Sequence, residues 1–477
     1  YNPGVTSYLY GRQSLSLNRN QQSETKHRFI SFYSNFGYSY RQKYNLTGSV
    51  RVDQADMFGA DPKYKYRPLW SVGGSWNVHR ENFFNTNDIN LLKLRLTYGI
   101  SGNVDQTTTP FLRGRLTTDS RGAYPSLQYL QFNDTDLPNP KLRWEKTETA
   151  NIGIDFGMWH WLSGSIDLYR RYSSDLLVLT ELDPTVGAQR RLINNGALLN
   201  RGIEVSLNAT RKLTDDLQLS IGTTFAYNKN TIEKVSSKPT NAMEYARNPL
   251  TYYREGDDFN SLYAYRYKET INGYPIYLDE NGNPNTTFDA NGVPTIKDIK
   301  NEDALVKLGT MNPTFNGALN LQLRYKVFEL STMFVYAGGH KLRKDTYSIN
   351  QESETHRDIT QRWTPTNPTD MPRMSFDYPS ALRRTANTVN TFWQLGDNHV
   401  VNADYLKWRN VVFACYIPKD ICERLRLQNA KVTAQLNNLL TWSAAGDDID
   451  PEAYNLNTGT RTLPIATTAL FGISFSF

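Results

Sequence analysis

Residues that could support metal or nucleophilic chemistry are few and scattered along the chain. None of the histidines forms the closely spaced helical pair of a zinc enzyme. The six histidines are His27, His79, His160, His340, His356 and His399. A zinc site needs several ligands that converge, so we expect none. The segments "GAQRR", "GGHK" and "GGSW" lack the spacing of a phosphate loop or a nucleophile elbow. We therefore predict that the chain is not an enzyme and holds no cofactor.

One polar segment, "DENGNPNTTFDANG" at 279–292, begins with the spacing of a calcium loop. Asp279, Asn281 and Asn283 occupy alternate positions, but the twelfth position is Ala290 rather than the bidentate glutamate that such loops use. The calcium interpretation fails on that residue. The two Asn-Gly pairs predict two hairpin-type turns instead.

The two cysteines, Cys415 and Cys422, are seven residues apart. A single bridge could form between them in an oxidising compartment. The alternative is two free, small side chains, and the sequence leaves both open.

Aromatic residues concentrate in two polar segments, "LTYYREGDDFNSLYAYRYKE" at 250–269 and "SFDYPS" at 375–380. Aromatic platforms bind sugar rings and peptides by stacking. The candidate contacts to a substrate or to a partner lid are Tyr252, Tyr253, Arg254, Tyr263, Tyr265, Tyr267, Phe376 and Tyr378. The alternative is that these rings pack on each other or on a partner protein.

The elements that must position these residues are β-strands, because apolar and polar residues alternate at period two along the whole chain. The last segment, "TTALFGISFSF", puts Phe471, Ile473, Phe475 and Phe477 on one side and small residues on the other. Such segments run for roughly ten to thirteen residues, whereas soluble strands average about five or six and a bilayer needs about nine to eleven. About fourteen strands are predicted. They lie near 7–18, 28–40, 44–53, 66–79, 92–101, 144–158, 162–173, 200–211, 217–229, 314–326, 328–338, 404–416, 432–443 and 468–477.

The connections between these strands alternate in length, which is the layout of an outer-membrane β-barrel. Short turns join several successive pairs, and long polar loops are predicted at 102–143, 174–199, 230–313, 339–403 and 444–467. The apolar faces would contact lipid and the polar faces would line the lumen. The charged residues expected on the inner face are Arg51, Asp53, Lys93, Arg95, Asp155, Asp167, Glu204, Arg324 and Glu329. These could serve a substrate path, or pair with a plug or with one another.

Composition supports a folded all-β chain and excludes several other classes. Of 477 residues, 39% are hydrophobic and 21% charged, so disorder is not expected. No apolar run approaches the ~18 residues of a membrane helix. The net charge of +6 comes from 53 basic and 47 acidic residues that are interspersed, which argues against a nucleic-acid partner.

An ordered succession of motifs runs along nearly all of the chain. These are "LTGSVRVDQADMFG", "YRPLWSVGGSWNV", "LLKLRLTYGISGN", "LRWEKTETANIGIDFG", "GSIDLYRRYSSDLL", "NNGALLNRGIEVSLNA", "FAYNKNTI", "LGTMNPTFNGALN", "ADYLKWRNVVFACYIPKD" and "QLNNLLTW". Through this succession, rather than through any one motif, the chain resembles the SusC/RagA-like TonB-dependent transporters.

The resemblance implies a 22-stranded transmembrane antiparallel β-barrel with an N-terminal plug and a TonB-contacting segment. Neither the plug nor that segment is recognisable here, and residue 1 resembles the middle of the barrel. Residues 1–477 are therefore interpreted as the C-terminal portion of the barrel, and the native chain is expected to be longer. The alternatives are that the missing part lies on another polypeptide or that transport has been lost.

The function implied by the resemblance is active import of large nutrients, glycans or oligopeptides, across the outer membrane of a Bacteroidetes-type Gram-negative cell. The implied partners are a SusD-like surface lipoprotein that acts as a lid, TonB through the missing N-terminal region, membrane lipid, and a second transporter–lid pair in a dimer. Phe471, Ile473, Phe475 and Phe477 would match the family's signal for outer-membrane assembly. The alternative function is a structural barrel subunit of a protein export or assembly complex, and a third is a passive porin closed by fourteen strands.

Overall fold

The computed structural model describes residues 4–7, 11–14, 28–55, 67–103, 112, 114–118, 128–131, 137, 139, 141–183, 185, 190–236, 239, 241–351 and 356–477. The strands in the first half are β1 Gly4–Ser7, β2 Gly11–Ser14, β3 Phe29–Tyr40, β4 Tyr44–Ala55, β5 Arg67–Asn77, β6 Ile89–Asn103, β7 Arg115–Thr118, β8 Gln128–Gln131, β9 Glu145–Met158, β10 Leu162–Glu181, β11 Arg190–Lys212 and β12 Leu217–Lys234. Those in the second half are β13 Ser261–Tyr265, β14 Tyr267–Ile271, β15 Tyr274–Tyr277, β16 Thr286–Phe288, β17 Pro294–Ile296, β18 Leu305–Thr310, β19 Phe315–Tyr325, β20 Phe328–Gly338, β21 Lys341–Arg343, β22 Val400–Asn402, β23 Tyr405–Tyr416, β24 Asn429–Ser443 and β25 Thr468–Ser476.

Thirteen of these strands form one antiparallel sheet in which sequence neighbours are also spatial neighbours. Its order is β3-β4-β5-β6-β9-β10-β11-β12-β19-β20-β23-β24-β25. The predicted all-β, antiparallel barrel-type fold is confirmed. Each of the thirteen strands matches one of the predicted fourteen. The remaining prediction, a strand at 7–18, falls on a short hairpin in which β1 pairs with β2, and residues 8–10 and 15–27 lie outside the described part.

The register gives the sheet one apolar and one polar face. On the apolar face, Leu96, Ile152 and Leu168 are mutual partners across β6, β9 and β10, and they are 60%, 56% and 51% exposed. Soluble monomers rarely expose contiguous apolar surface on this scale, so the pattern fits contact with lipid. The sequence prediction that the strands present one apolar face is confirmed.

The polar face carries the charged residues that the alternation predicts for the inner face of the barrel. Some of them form ion pairs with one another, as expected. Arg95 donates to Asp155 at 2.8 Å and to Asp167 at 2.9 Å, bridging three strands. Arg51 contacts Asp53 at 2.6 Å, and Lys93 lies 4.0 Å from Asp155. The other three charged residues, Glu204, Arg324 and Glu329, lie on the same face by register. Glu204 is opposite Asp167, and Arg324 is opposite Glu329. The prediction that inner-face charges pair with one another is thus confirmed for six of the nine.

Tyr169 shows how a glycine lets one aromatic ring span three strands of the polar face. Tyr169 on β10 lies directly opposite Gly202 on β11, and its hydroxyl donates to Asn228 on β12 at 3.1 Å. A Cβ added at Gly202 would collide with the Tyr169 ring and with the carbonyl oxygen of Tyr227. The missing side chain therefore makes room for the ring.

We expect Gly202→Ala to destabilise the sheet by about 1–3 kcal/mol, because the new methyl group overpacks this contact. The measurement is the incubation temperature at which the folded, fast-migrating form is lost, read by gel electrophoresis of samples heated in steps beforehand. Gly37→Ala is the matched control, since a Cβ at Gly37 meets nothing within 4 Å. Equal midpoints for the two variants would contradict this account of Tyr169.

Short connections lie at one edge of the sheet and long ones at the other. The turns 41–43, 159–161, 213–216 and 326–327 are at the first edge, together with helix α3 Lys419–Arg424, which begins directly after Pro418. The predicted loop at 174–199 is mostly strand instead, because β10 and β11 continue to pair as far as Glu181 and Arg190. Cys415 on β23 and Cys422 in α3 are both free thiols.

The buried core lies mainly in the long connections rather than in the sheet. Residues 235–314, 339–404 and 444–467, here called the cap, contain helices α1 Met243–Arg247 and α2 Ala386–Gln394 and three clusters of buried apolar side chains. One cluster packs Tyr265 and Tyr277 against Phe392 of α2, with ring centroids 4.7 and 5.6 Å apart. The three long connections therefore fold as one packed unit. Within the described residues, no helix combines the length and apolarity needed to cross a membrane.

Candidate functional site

A polar cleft of about 470 Å³ opens where the three connections of the cap meet. α1 and α2 contribute Arg247 and Thr391, and the segment after β21 contributes Lys344 and Asp345. A turn in the third connection completes the wall with Asn457, Thr458, Gly459, Thr460 and Arg461. Gly459 has φ +75° and packs against the backbone of Asp345, so a side chain would not fit there.

Arg343 forms the floor of the cleft and links all three connections of the cap. Its side chain is buried, and its guanidinium donates to the carbonyl oxygens of Tyr263 at 2.7 Å, Asn457 at 3.1 Å and Gly396 at 3.3 Å. Burial lowers the pKa of Arg343 to about 10, which is still far enough above neutrality to leave it charged. One buried cation thus fixes the relative positions of the cleft walls.

Arg461 and Asp345 join the second and third connections at the rim. Arg461 donates two hydrogen bonds of 2.9 Å to the two oxygens of Asp345, and a third of 3.2 Å to Asp448. Tyr454 donates to the same Asp345 carboxylate at 2.9 Å. Burial opposes ionisation of Asp345, but the bonds from Arg461 and Tyr454 outweigh it and lower its pKa. This bidentate ion pair between Arg461 and Asp345 fixes the positions of the two segments at the rim of the cleft.

The cleft is electropositive. Its lining holds the cations Arg247, Arg343, Lys344 and Arg461 against the single carboxylate of Asp345. Arg247 is exposed and donates to Thr391 at 3.3 Å, and Lys344 makes no ion pair with any residue that the structure describes. Hydroxyl and amide groups from Thr391, Thr458, Thr460 and Asn457 fill the space between them. The arrangement can bind carboxylate or other anionic groups and hydrogen-bond to neighbouring hydroxyls.

A second ionic cluster holds the third connection onto the polar face of the sheet. Lys407 on β23 is buried and contacts Asp450 at 2.6 Å and Glu452 at 2.8 Å. Arg409 and Tyr405 also donate to Glu452. Burial would raise the pKa of Glu452, but the bonds from Lys407, Arg409 and Tyr405 dominate and lower it. These contacts therefore anchor the segment that carries Arg461 to β23.

We expect the third connection to loosen at acidic pH. Because the pKa of Glu452 is lower in the folded state, its stabilising contribution is complete above its ordinary pKa of about 4.3 and is lost as pH falls further. Hydrogen exchange of peptides within 444–462, corrected for intrinsic rates, should rise below about pH 4. Glu452→Gln should show the looser state already at neutral pH, whereas Glu280→Gln, at an exposed turn, should behave as wild type. Exchange that increases on raising the pH would contradict this.

The aromatic residues that the sequence proposed as contacts mainly form the packed interior of the cap. Tyr263, Tyr265 and Tyr378 are only 2%, 1% and 3% exposed. Tyr252 and Tyr267 pack against the first buried cluster, and Arg254 lies 4.5 Å and 4.9 Å from the ring centres of Tyr245 and Tyr263. Tyr253 stacks on Phe259 at 4.9 Å, and Phe376 is 46% exposed. Most of the eight residues therefore pack on other rings, as the alternative interpretation expected. Their contact with a substrate or a lid stays a prediction.

None of those eight residues lines the cleft, and sequence reasoning missed the cations that do. Arg247, Arg343 and Arg461 come from three connections far apart in sequence, so no local spacing signals them.

The turns predicted at 279–292 are confirmed, since Asp279 accepts from the backbone of Asn281 and Asn283 at 2.9 and 2.8 Å. In the part of the chain that the structure describes, no three metal-ligating side chains cluster together.

The four residues of the expected assembly signal lie along the outer edge of the sheet. Phe471, Ile473 and Phe475 of β25 are 83%, 74% and 59% exposed, and Phe477 just beyond it is 85% exposed. Phe471 and Ile473 continue the apolar face, opposite Ala434 and Val432. Their recognition by an assembly machinery stays a prediction.

Comparison with known proteins gives matches along most of the chain. Residues 1–272 match the family described as "TonB dependent receptor-like, beta-barrel". TonB-dependent receptor P3 of Formosa agariphila is 27% identical over an alignment of 453 residues, and the match covers 90% of this chain and 42% of that protein. TonB-dependent receptor SusC of Bacteroides thetaiotaomicron is 28% identical over an alignment of 298 residues, and the match covers 59% of this chain and 29% of that protein.

Among solved structures, the RagAB peptide transporter shares the fold. It superposes with a TM-score of 0.74 at 23% identity, and the match covers 94% of this chain and 48% of that chain. The chain thus spans less than half the length of each of these relatives.

Proposed function

Because the chain belongs to the TonB-dependent receptor-like β-barrel family, we propose that it is the C-terminal barrel portion of an outer-membrane importer of the SusC type. A longer protein would supply the remaining strands, the plug and the TonB-contacting segment. The share of the relatives that the chain covers, 42% of receptor P3 and 48% of the RagAB chain, supports this division.

The observation that carries a role in binding is the electropositive cleft in the cap. It lies among the long connections, at the sheet edge that is extracellular in outer-membrane barrels. The importer would take up large nutrients, glycans or oligopeptides, and the cleft favours those with carboxylates. The peptide transporter named among the similar structures supports oligopeptides as one of the two classes.

The mechanism needs no covalent chemistry. A SusD-like lipoprotein would close over the cap and retain the substrate, which the cations Arg247 and Lys344 orient through its anionic groups. TonB would then displace the plug and open the lumen, whose polar face carries paired charges such as Arg95 and Asp155. Two such transporter–lid pairs would form the dimer.

The proposal is tested on the full-length protein in its native membrane. Affinity purification in mild detergent should recover a surface lipoprotein with it, and cells should take up fluorescent acidic oligopeptides or acidic glycan fragments. Arg247→Ala with Lys344→Ala should reduce that uptake, while Arg383→Ala with Arg384→Ala, two exposed arginines of the cap, should not. Recovery of export or assembly proteins, with no uptake in wild-type cells, would favour the structural-subunit alternative.

A further inference from the structure

Three cations stand side by side on the apolar face of the sheet. Arg170 on β10 is the register partner of Arg201 on β11, which is also the partner of Lys229 on β12. One step closer to the short turns, the same three strands carry Leu168, Ile203 and Tyr227. All three cations are exposed, so a basic row crosses a surface that is otherwise apolar.

Such a row opposes folding unless an anion neutralises it. Directly opposed side chains in an antiparallel pair have Cβ atoms about 4.5–5.5 Å apart, and like charges there are destabilising. The Arg170 guanidinium lies 5.5 Å from the Tyr172 ring centre and interacts with Glu148, a carboxylate that Lys146 and Tyr98 already engage. Arg201 and Lys229 form no ion pair with any of the described residues.

The row lies at the level of lipid headgroups rather than acyl chains. From Leu217 to Lys229 the apolar face of β12 extends twelve residues, about 40 Å along the strand and about 28 Å across the membrane at a tilt near 45°. The apolar band of such barrels is about 25 Å tall. Tyr227, one step below Lys229, lies where aromatic residues mark the interface. β12 ends at Lys234, five residues beyond Lys229, and leads directly into the cap, so the row lies in the outer leaflet.

We propose that Arg170, Arg201 and Lys229 form a binding site for the phosphate groups of an anionic lipid in the outer leaflet. Guanidinium groups match phosphate oxygens in pairs, and the lysine adds a third positive charge. The occupant is a lipid because the surface below the row, with Leu168 and Ile203, is apolar and would contact its acyl chains. The site is separate from the cleft of the cap and goes beyond import.

The test compares binding of two probes to the full-length protein in detergent: lipid A with both phosphates, and the same lipid A after enzymatic dephosphorylation. Native mass spectrometry should show the phosphorylated form bound at least about tenfold more strongly, and the triple variant R170Q/R201Q/K229Q should lose that preference. Arg171→Gln is the matched control, because it removes the same charge from the neighbouring position on the polar face. Equal binding of both probes to the wild type, or an unchanged preference in the triple variant, would overturn the proposal.

A single variant keeps the test valid if the triple variant fails to fold. Arg201→Gln relieves like-charge repulsion, so its melting temperature should exceed that of the wild type in lipid-free detergent and fall below it when phosphorylated lipid A is added. The same order of stability in both conditions would contradict the site. Displacement of the lipid by millimolar inorganic phosphate alone would overturn its assignment to a lipid. Neither readout depends on transport, so these outcomes are independent of the import hypothesis.

Discussion

Arg343→Ala is expected to unfold the cap and to abolish uptake while leaving the barrel in the membrane. The substitution removes the donor for three carbonyl oxygens, those of Tyr263, Gly396 and Asn457, at a buried position. Each buried acceptor left without a partner costs about 1–3 kcal/mol, so the cap should lose about 3 kcal/mol or more. The three connections contribute the walls of the cleft, and their separation would disperse its cations.

Hydrogen exchange of peptides around those three carbonyls measures this directly. Exchange should rise in all three connections together, because one guanidinium joins them. Arg343→Lys should have an intermediate effect, since an ammonium group cannot reach three acceptors with the geometry of a planar fork. Arg384→Ala, at an exposed position of the same connection, is the control and should leave exchange unchanged. Wild-type protection in Arg343→Ala would show that the cap does not depend on this residue.

Leu96→Arg is expected to impair membrane insertion severely, whereas Thr97→Arg should be tolerated. The two residues are adjacent on β6 and both exposed, but Leu96 faces the apolar side with Ile152 and Thr97 faces the polar side with Asn151. An arginine on the lipid face near the middle of the membrane costs about 2–4 kcal/mol, while a lumen position keeps its charge hydrated.

The fraction of folded protein after refolding into phospholipid vesicles measures this difference, with both variants compared with the wild type. A large loss for Leu96→Arg and little loss for Thr97→Arg would establish which face contacts lipid. Equal losses, or a greater loss for Thr97→Arg, would contradict the assignment of the two faces.

The barrel was predictable from sequence because alternation at period two is a local signal that the register preserves. The partners Leu319 and Phe334, or Gly317 and Tyr336, follow directly from short turns between patterned strands. The alternation is lost where the residues on the two faces of a strand no longer differ in polarity. The run "LLVLT" at 176–180 does not alternate, and β10 was therefore predicted to end near residue 173, although it continues to pair up to Glu181.

The cap was not predictable in the same way, because its contacts join distant residues. Tyr265 and Phe392 meet in one cluster across more than a hundred residues, and no spacing in the sequence anticipates that. Aromatic enrichment at 250–269 left ligand contact and packing of the rings on each other both open, because enrichment alone does not distinguish a ligand platform from a core. The cations of the cleft are even less visible, since arginines and lysines are common in polar loops and only the fold brings Arg247, Lys344 and Arg461 together.

The most direct test of the import hypothesis is uptake of a fluorescent acidic oligopeptide by cells that produce the full-length protein, measured with and without TonB. We predict uptake that requires both TonB and an intact cap, so that deletion of TonB and Arg343→Ala each abolish it. Uptake that persists without TonB, together with steady ion conductance of the purified protein in planar bilayers, would contradict active import and indicate a passive pore.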